Sequence, residues 1–198
     1  MRISVILAHP DPESFNAAIA SAVVDCLKAG RHEIWFHDLY RERFDPLLHQ
    51  AEFLKSAELP PAIREHCRQI SQANGIIIMH PNWWGQPPAI LKGWIDRVIR
   101  PGIAYMFEEG DSGQGVPLGL LKAETALLFN TSNTPSQRET EVFGDPLERI
   151  WKDCVFGLCG VRHVHRRMFE VVITSTAAQR ERWLQEAKDM VRQSFPPE

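Results

Sequence analysis

The sequence predicts an α/β fold, a doubly wound five-stranded parallel sheet with helices on both faces, in a single domain spanning all 198 residues. Three observations predict it. Short apolar runs at 3–8, 75–79 and 125–129 each end in turn or polar residues, as strands buried on both faces do. Stretches with helical spacing lie between and after them, each long enough to make a crossover. The resulting βαβαβαβαβα order favours an open sheet, because parallel strands need right-handed crossovers that cover both faces. A barrel would need more units.

The run at 3–8 meets His9-Pro10-Asp11-Pro12 too early for a signal peptide, so it reads as a first strand. A helix over 16–29 follows, with Ser14 placed to cap it. Residues 33–39 form the second strand and 62–73 the second helix. The third strand, 75–79, is stopped by His80 and Pro81, and a helix over 89–99 carries the chain back. The fourth strand, 125–129, leads to a helix over 147–158. A fifth strand at 164–173 and a charge-rich helix at 177–194 complete the pattern.

A hydrophobic content of 44% supports one substantial core, and a formal charge of −3 creates no field that would collect nucleic acid or anionic membrane. No apolar stretch nears the ~20 residues that span a bilayer. A soluble, cytoplasmic protein without membrane insertion is expected. The cysteines, Cys26, Cys67, Cys154 and Cys159, have neither C-x-x-C nor zinc-ligand spacing, so reduced and mostly buried thiols are expected and no metal. There is no repeat and no linker. Long irregular stretches at 41–61, 100–121 and 130–146 are unusual inside a compact domain unless they work, and the last two can wall a pocket at the strand C-termini.

Three segments carry chemistry. The turn His9-Pro10-Asp11-Pro12-Glu13-Ser14-Phe15-Asn16 opens into a helix, whose unpaired N–H groups and positive dipole end suit a phosphate, with the Ser14 hydroxyl and Asn16 amide completing the shell. Alone it also reads as a plain cap with a loop histidine. After the third strand, Pro81-Asn82-Trp83-Trp84-Gly85 holds two adjacent tryptophans that cannot both bury in one direction; one faces a groove and walls a flat ligand, unless both are scaffold aromatics. After the fourth strand, Asn130-Thr131-Ser132-Asn133 forms a polar loop. Three successive strand ends thus describe a mononucleotide site.

Other motifs are set aside. Gly113-Gln114-Gly115 precedes a strand where a dinucleotide fingerprint would follow one. Arg162, His163, His165, Arg166 and Arg167 read as a solvated strand face, and Asp45, His49 and Glu52 as a charged loop and helix start.

Most of the chain resembles the NAD(P)H:quinone oxidoreductase branch of the flavodoxin-like superfamily. The resemblance rests on His9-Pro10 with Ser14-Phe15-Asn16, on Pro81 through Trp94 with Asp96-Arg97-Val98, on Ala104-Tyr105, and on the segments 115–122, 127–133 and 143–161. It implies a flavin whose phosphate and ribityl end meets His9, Ser14, Phe15 and Asn16, and whose isoalloxazine lies along Pro81, Asn82, Trp83 and Trp84. Asn130, Thr131, Ser132 and Asn133 stand where the family commonly has Thr-Thr-Gly-Gly, so only Thr131 is kept in kind. Tyr105 matches an aromatic that borders the substrate pocket, often from the partner subunit, with Phe107 beside it. The family's downstream tyrosine and histidine have no counterpart among 135–145.

The resemblance implies NAD(P)H as hydride donor, a quinone-like acceptor, ping-pong turnover and a homodimer. Longer members wrap FAD with extra C-terminal chain, whereas this sequence stops at Pro196-Pro197-Glu198, which leans toward FMN over FAD. Two alternatives share the fold: a flavodoxin-type electron carrier, and a flavin-binding regulatory subunit of a membrane transporter. The carrier family has a Thr/Ser-Gly phosphate loop and a strongly acidic surface, both missing here.

Overall fold

A computed structural model describes residues 1–54, 57–108, 110 and 115–197. The chain alternates β1 (Arg2–Leu7), α1 (Phe15–Ala29), β2 (Glu33–Asp38), α2 (Pro61–Gln72), β3 (Gly75–Pro81) and α3 (Ala89–Val98). A small antiparallel pair, β4 (Tyr105–Met106) and β5 (Leu118–Gly119), stands apart from the main sheet. Then come β6 (Thr125–Ser132), α4 (Ser136–Glu141), α5 (Pro146–Arg149), β7 (His163–Glu170) and α6 (Ala177–Ser194). The five main strands are all parallel in the order β2-β1-β3-β6-β7.

The apolar runs take the centre of this sheet because both of its faces are covered. β3 is buried along its whole length, and alternate side chains enter two separate cores. Ile76, Ile78, Ala126 and Leu128 pack against Ile63, Leu91, Trp94 and Val98 of α2 and α3. On the other face Val5, Ile77, Leu127 and Phe129 meet Ile19, Val23, Trp183 and Val191 of α1 and α6. Leu7, Met79 and Phe129 are register partners, so β1, β3 and β6 finish along one edge. The chain leaves β1 toward β2 on one side and β3 on the other, which opens a crevice beyond their carboxyl ends.

The segment 147–158 is not one α-helix. α5 makes a single turn and passes into a π-helix at Ile150–Gly157. In an α-helix residues five apart point about 140° away from each other. The wider π turn puts Trp151 and Phe156 on one face, where both are fully buried with rings stacked at 5.7 Å.

The charged stretch 41–61 also departs from expectation, because Glu52 is buried and pairs with buried Arg97 of α3 at 2.6 Å. Arg97 further donates to the Asp45 carbonyl at 2.6 Å. Gly93 makes this docking possible, since a Cβ there would lie 2.2 Å from the Pro46 carbonyl oxygen. The basic cluster is likewise not wholly solvated: Arg166 is anchored by Asp145 and by Glu148 at 2.8 Å, and Arg167 by Glu186 at 2.6 Å. All four cysteines are free thiols, but only Cys67 and Cys159 are buried. Of the glycine motif, Gly113 and Gln114 lie outside the described residues. No helix among the described residues is long and apolar enough to cross a membrane.

Candidate functional site

Beyond the ends of β1, β3 and β6 lies a cleft of about 340 Å³. Its first wall is the turn into α1. Ser14 is the N-cap, with extended backbone and a hydroxyl that accepts the Ala17 N–H at 3.2 Å. The N–H groups of Phe15 and Asn16 come too early in the helix to find partners within it. Ser14 is therefore both the cap and part of the cleft wall. His9 faces the same space, with Nδ1 close to the Asp11 amide at 3.1 Å. No lysine or arginine lines the cleft among the described residues, so an anion here would rest on helix N–H groups and dipole.

Asn16 links this wall to the floor. Its Nδ2 donates to Thr131 Oγ1 at 2.7 Å, while its Oδ1 is buried without a hydrogen-bond partner. A buried, unsatisfied acceptor beside a cleft marks where a ligand hydroxyl or N–H belongs.

The second wall follows β3. Asn82 donates its backbone N–H to the Thr131 carbonyl at 2.7 Å, and Trp83 and Gln86 exchange both backbone hydrogen bonds across a two-residue turn. Trp84 and Gly85 occupy that turn with φ of +58° and +69°, a type I′ geometry in which a tryptophan is strained. Pro81, Asn82 and Trp83 line the cleft, and the Trp83 ring lies 6.1 Å from that of His9. Trp84 does not line it: its side chain is fully exposed at the tip of the turn.

The third segment is not the loop that its composition predicts. Asn130, Thr131 and Ser132 are the last residues of β6 and are buried, the first two held between β3 and β7 and Ser132 paired with β7 alone. Thr131, Ser132 and Asn133 line the cleft, whereas the Asn130 side chain turns into a polar network behind it. There His80 Nε2 accepts from Asn130 Nδ2 and from Trp151 Nε1, both at 2.9 Å. The ring proton must then sit on Nδ1, which donates to the Pro81 carbonyl at 2.8 Å. Burial, with Arg166 nearby and against the Pro81 hydrogen bond, pushes His80 down to about 4 and keeps it neutral.

Thr134, Val172 and Ile173 also line the cleft, and no sequence motif points to them. The last two sit in a 3₁₀ turn at Val172–Thr174, in a segment that reads as strand; the Ile173 N–H is held by Asn133 Oδ1 at 2.9 Å. Tyr105 stands on β4, outside this chain's own cleft, half-buried and edge-on to Phe107 at 5.9 Å. Burial raises its phenol above the ordinary value.

A second cluster was not anticipated. His37, Glu42 and His66 place ligand-type atoms within 4.8 Å of one another. Trp94 donates its indole N–H to His66 Nδ1 at 3.0 Å, which leaves the His66 proton on Nε2, the nitrogen facing Glu42. That nitrogen has no lone pair for a metal, so the trio is a hydrogen-bonded clasp between β2 and α2.

Comparison with known proteins follows the same lines. A family model described as flavodoxin-like fold matches residues 1–194. An uncharacterized NAD(P)H oxidoreductase of Haemophilus influenzae is 34% identical over 170 residues, covering 83% of this chain and 81% of that protein. The structure of the NAD(P)H:quinone oxidoreductase from Methanothermobacter marburgensis superposes with a TM-score of 0.80 at 26% identity, covering 97% of this chain and 96% of that one. An FMN-dependent NADH-azoreductase from Bacillus anthracis, solved with FMN, shares the fold at a TM-score of 0.78 and 16% identity, covering 98% of this chain and 99% of that one. From its sheet order, its strand-end cleft and these relatives, the chain belongs to the NAD(P)H:quinone oxidoreductase family of flavodoxin-like proteins.

Proposed function

We propose that this protein is a cytoplasmic, flavin-dependent NAD(P)H oxidoreductase that reduces quinones or related electrophiles by two-electron hydride transfer. The observation that carries the reading is the cleft itself, where a helix N-terminus, an aromatic turn and a polar strand end converge at the switch point of the sheet. Free thiols at all four cysteines suit a reducing compartment.

The residues present fit a flavin mononucleotide. Ser14, Phe15, Asn16 and His9 would receive its phosphate and ribityl chain, with the vacant acceptor of Asn16 taking a ribityl hydroxyl. Pro81, Asn82 and Trp83 would flank the ring, and Thr131, Ser132 and Asn133 would meet its polar edge. A flavin so bound supplies hydride chemistry, while the protein positions it and limits access of water. A neighbour of the same fold was solved with FMN, which is in keeping with a flavin in this cleft.

One open cleft serves donor and acceptor in turn, which gives ping-pong kinetics. Trp83, which lines the cleft, sets the stacking distance, and near-attack geometry supplies much of the barrier lowering. Tyr105 acts from a second copy of the chain in a homodimer. It does not line its own cleft, and Trp84, Met106, Phe107 and Phe143 are exposed apolar side chains that a second copy could cover.

Purified protein tests this directly: its visible spectrum is recorded, chromophore is released by heat and identified by chromatography, and NADH or NADPH is added without oxygen. Bleaching of the flavin bands, recovered on adding a benzoquinone, is expected. A bound flavin that neither nicotinamide reduces would make the protein a carrier or regulatory subunit. Failure to bind FMN and FAD would overturn the reading.

A further inference from the structure

Glu139 on α4 is 4% exposed, yet it forms no ion pair among the described residues. Its one side-chain partner is Asn82, whose Nδ2 donates to Glu139 Oε1 at 2.9 Å. The opposite end of the same amide is also held, as Asn82 Oδ1 accepts the Gly85 N–H at 3.0 Å. A carboxylate only accepts hydrogen bonds, so Glu139 selects the orientation of the amide. A flipped Asn82 would set oxygen against oxygen at Glu139 and N–H against N–H at Gly85.

Gly85 is half of the strained turn that projects Trp84, and Asn82 is part of the cleft wall. Glu139 therefore controls the aromatic wall through two hydrogen bonds in series. It also sets a negative charge behind that wall, shielded from solvent, and among the described residues no lysine or arginine in the cleft lining offsets it. In such surroundings charge acts over several ångströms with little screening. Added electron density in the cleft is raised in energy by that charge.

We propose that Glu139 is a positioning residue that orients the Asn82 amide and, through its charge, lowers the reduction potential of the flavin in the cleft. The inference rests on the flavin reading above. Its consequence is a ring poised to pass electrons onward to an acceptor, in a segment where the family's tyrosine and histidine have no counterpart.

Two substitutions separate the orienting role from the charge. Glu139→Gln keeps an oxygen for Asn82 Nδ2 and removes the charge. It is expected to leave FMN affinity within about threefold while moving the flavin midpoint potential in the positive direction, since an uncharged partner no longer opposes reduction. Glu139→Ala releases the amide. Hydrogen exchange of the Gly85 N–H in flavin-free protein is then expected to accelerate about tenfold, the loss of one charge-assisted hydrogen bond.

An unchanged potential in Glu139→Gln overturns the electrostatic role, and unchanged Gly85 exchange in Glu139→Ala overturns the orienting role. If the parent protein binds neither FMN nor FAD, the functional reading fails and the electrostatic role with it. The exchange rates still decide the orienting role. If Glu139→Ala does not fold, Glu139→Leu, which fills the space but accepts no hydrogen bond, takes its place: faster Gly85 exchange is expected, and the parent rate overturns the orienting role.

Discussion

Trp151 donates its indole N–H to His80 Nε2 at 2.9 Å, and this bond requires a neutral imidazole at the end of β3. Protonation of His80 is opposed by burial, so its folded value falls from 6.5 to about 4. A depressed folded pKa contributes stability that is complete above the unfolded value and lost as pH falls from 6.5 toward 4. The loss over that window should be about 3 kcal/mol, read from urea midpoints at several pH values. His80→Phe should flatten this acid slope. At neutral pH it should cost about 2–4 kcal/mol, because it strands the Trp151 and Asn130 donors.

Arg97 and Glu52 make a second buried pair with a different lesson. Arg97→Ala leaves the buried Glu52 carboxylate only its longer contact with Arg100 at 3.7 Å, and should cost about 3 kcal/mol in urea unfolding. Replacing both, Arg97→Met with Glu52→Leu, should recover most of that loss, since paired apolar replacement of a buried ion pair is often close to neutral. A double mutant as unstable as Arg97→Ala would show that the Arg97–Asp45 contacts dominate instead.

Trp84 at the first position of a type I′ turn should be a site where stability and activity oppose each other. Asn-Gly is the favoured pair there, so Trp84→Asn should raise stability by about 0.5–1 kcal/mol through relief of positive-φ strain. The same change removes an exposed indole from the surface proposed for pairing, and should lower kcat/KM for the quinone by loosening the contact that brings Tyr105 of a second copy to the cleft. Equal or higher activity in Trp84→Asn would remove Trp84 from the pairing surface.

The clasp of His37, Glu42 and His66 should give a weak pH dependence of its own. For Glu42, burial raises the pKa but hydrogen bonds from His37 and His66 outweigh it, bringing it down to about 2. Its contribution is present above 4.5 and is lost as pH falls through about 2. For His37, burial lowers the pKa but hydrogen bonds to Glu42 and Gln69 raise it overall, so its contribution is present below 6.5 and lost as pH rises through the folded value. Glu42 is more than a third exposed, so Glu42→Gln should cost only about 0.5 kcal/mol between pH 4.5 and 6.5, visible as a small Tm difference that shrinks outside that window.

Periodicity made the sheet and its helices legible because β1, β3 and β6 are buried on both faces and read as continuous apolar runs. The boundary of β6 was not legible: Asn130, Thr131 and Ser132 look like loop by composition, and they extend the strand only because β3 and β7 flank them. The π-helix was hidden for a related reason, as the need to bury both Trp151 and Phe156 overrides the helical period. Within the cleft, Ser14 and Asn16 were readable from local capping chemistry, whereas Glu139 reaches Asn82 from 57 residues away and leaves no local pattern. The burial of Glu52 likewise depends on Arg97, which meets it only in the folded chain.

Asn16 gives the sharpest test of the phosphate end of the cleft. Among the described residues no lysine or arginine lines the cleft, so an anion there meets helix N–H groups and no lining cation offsets a new negative charge in the first turn. Asn16→Ala removes the amide and the tie to Thr131, and should weaken FMN binding about tenfold. Asn16→Asp keeps an acceptor of the same shape but sets a carboxylate against the phosphate, and should weaken binding by about a hundredfold or more at low salt, with partial recovery as salt screens the repulsion. Fluorescence titration of flavin-free protein measures both. Similar losses in the two variants, with no salt dependence, would move the phosphate away from the start of α1.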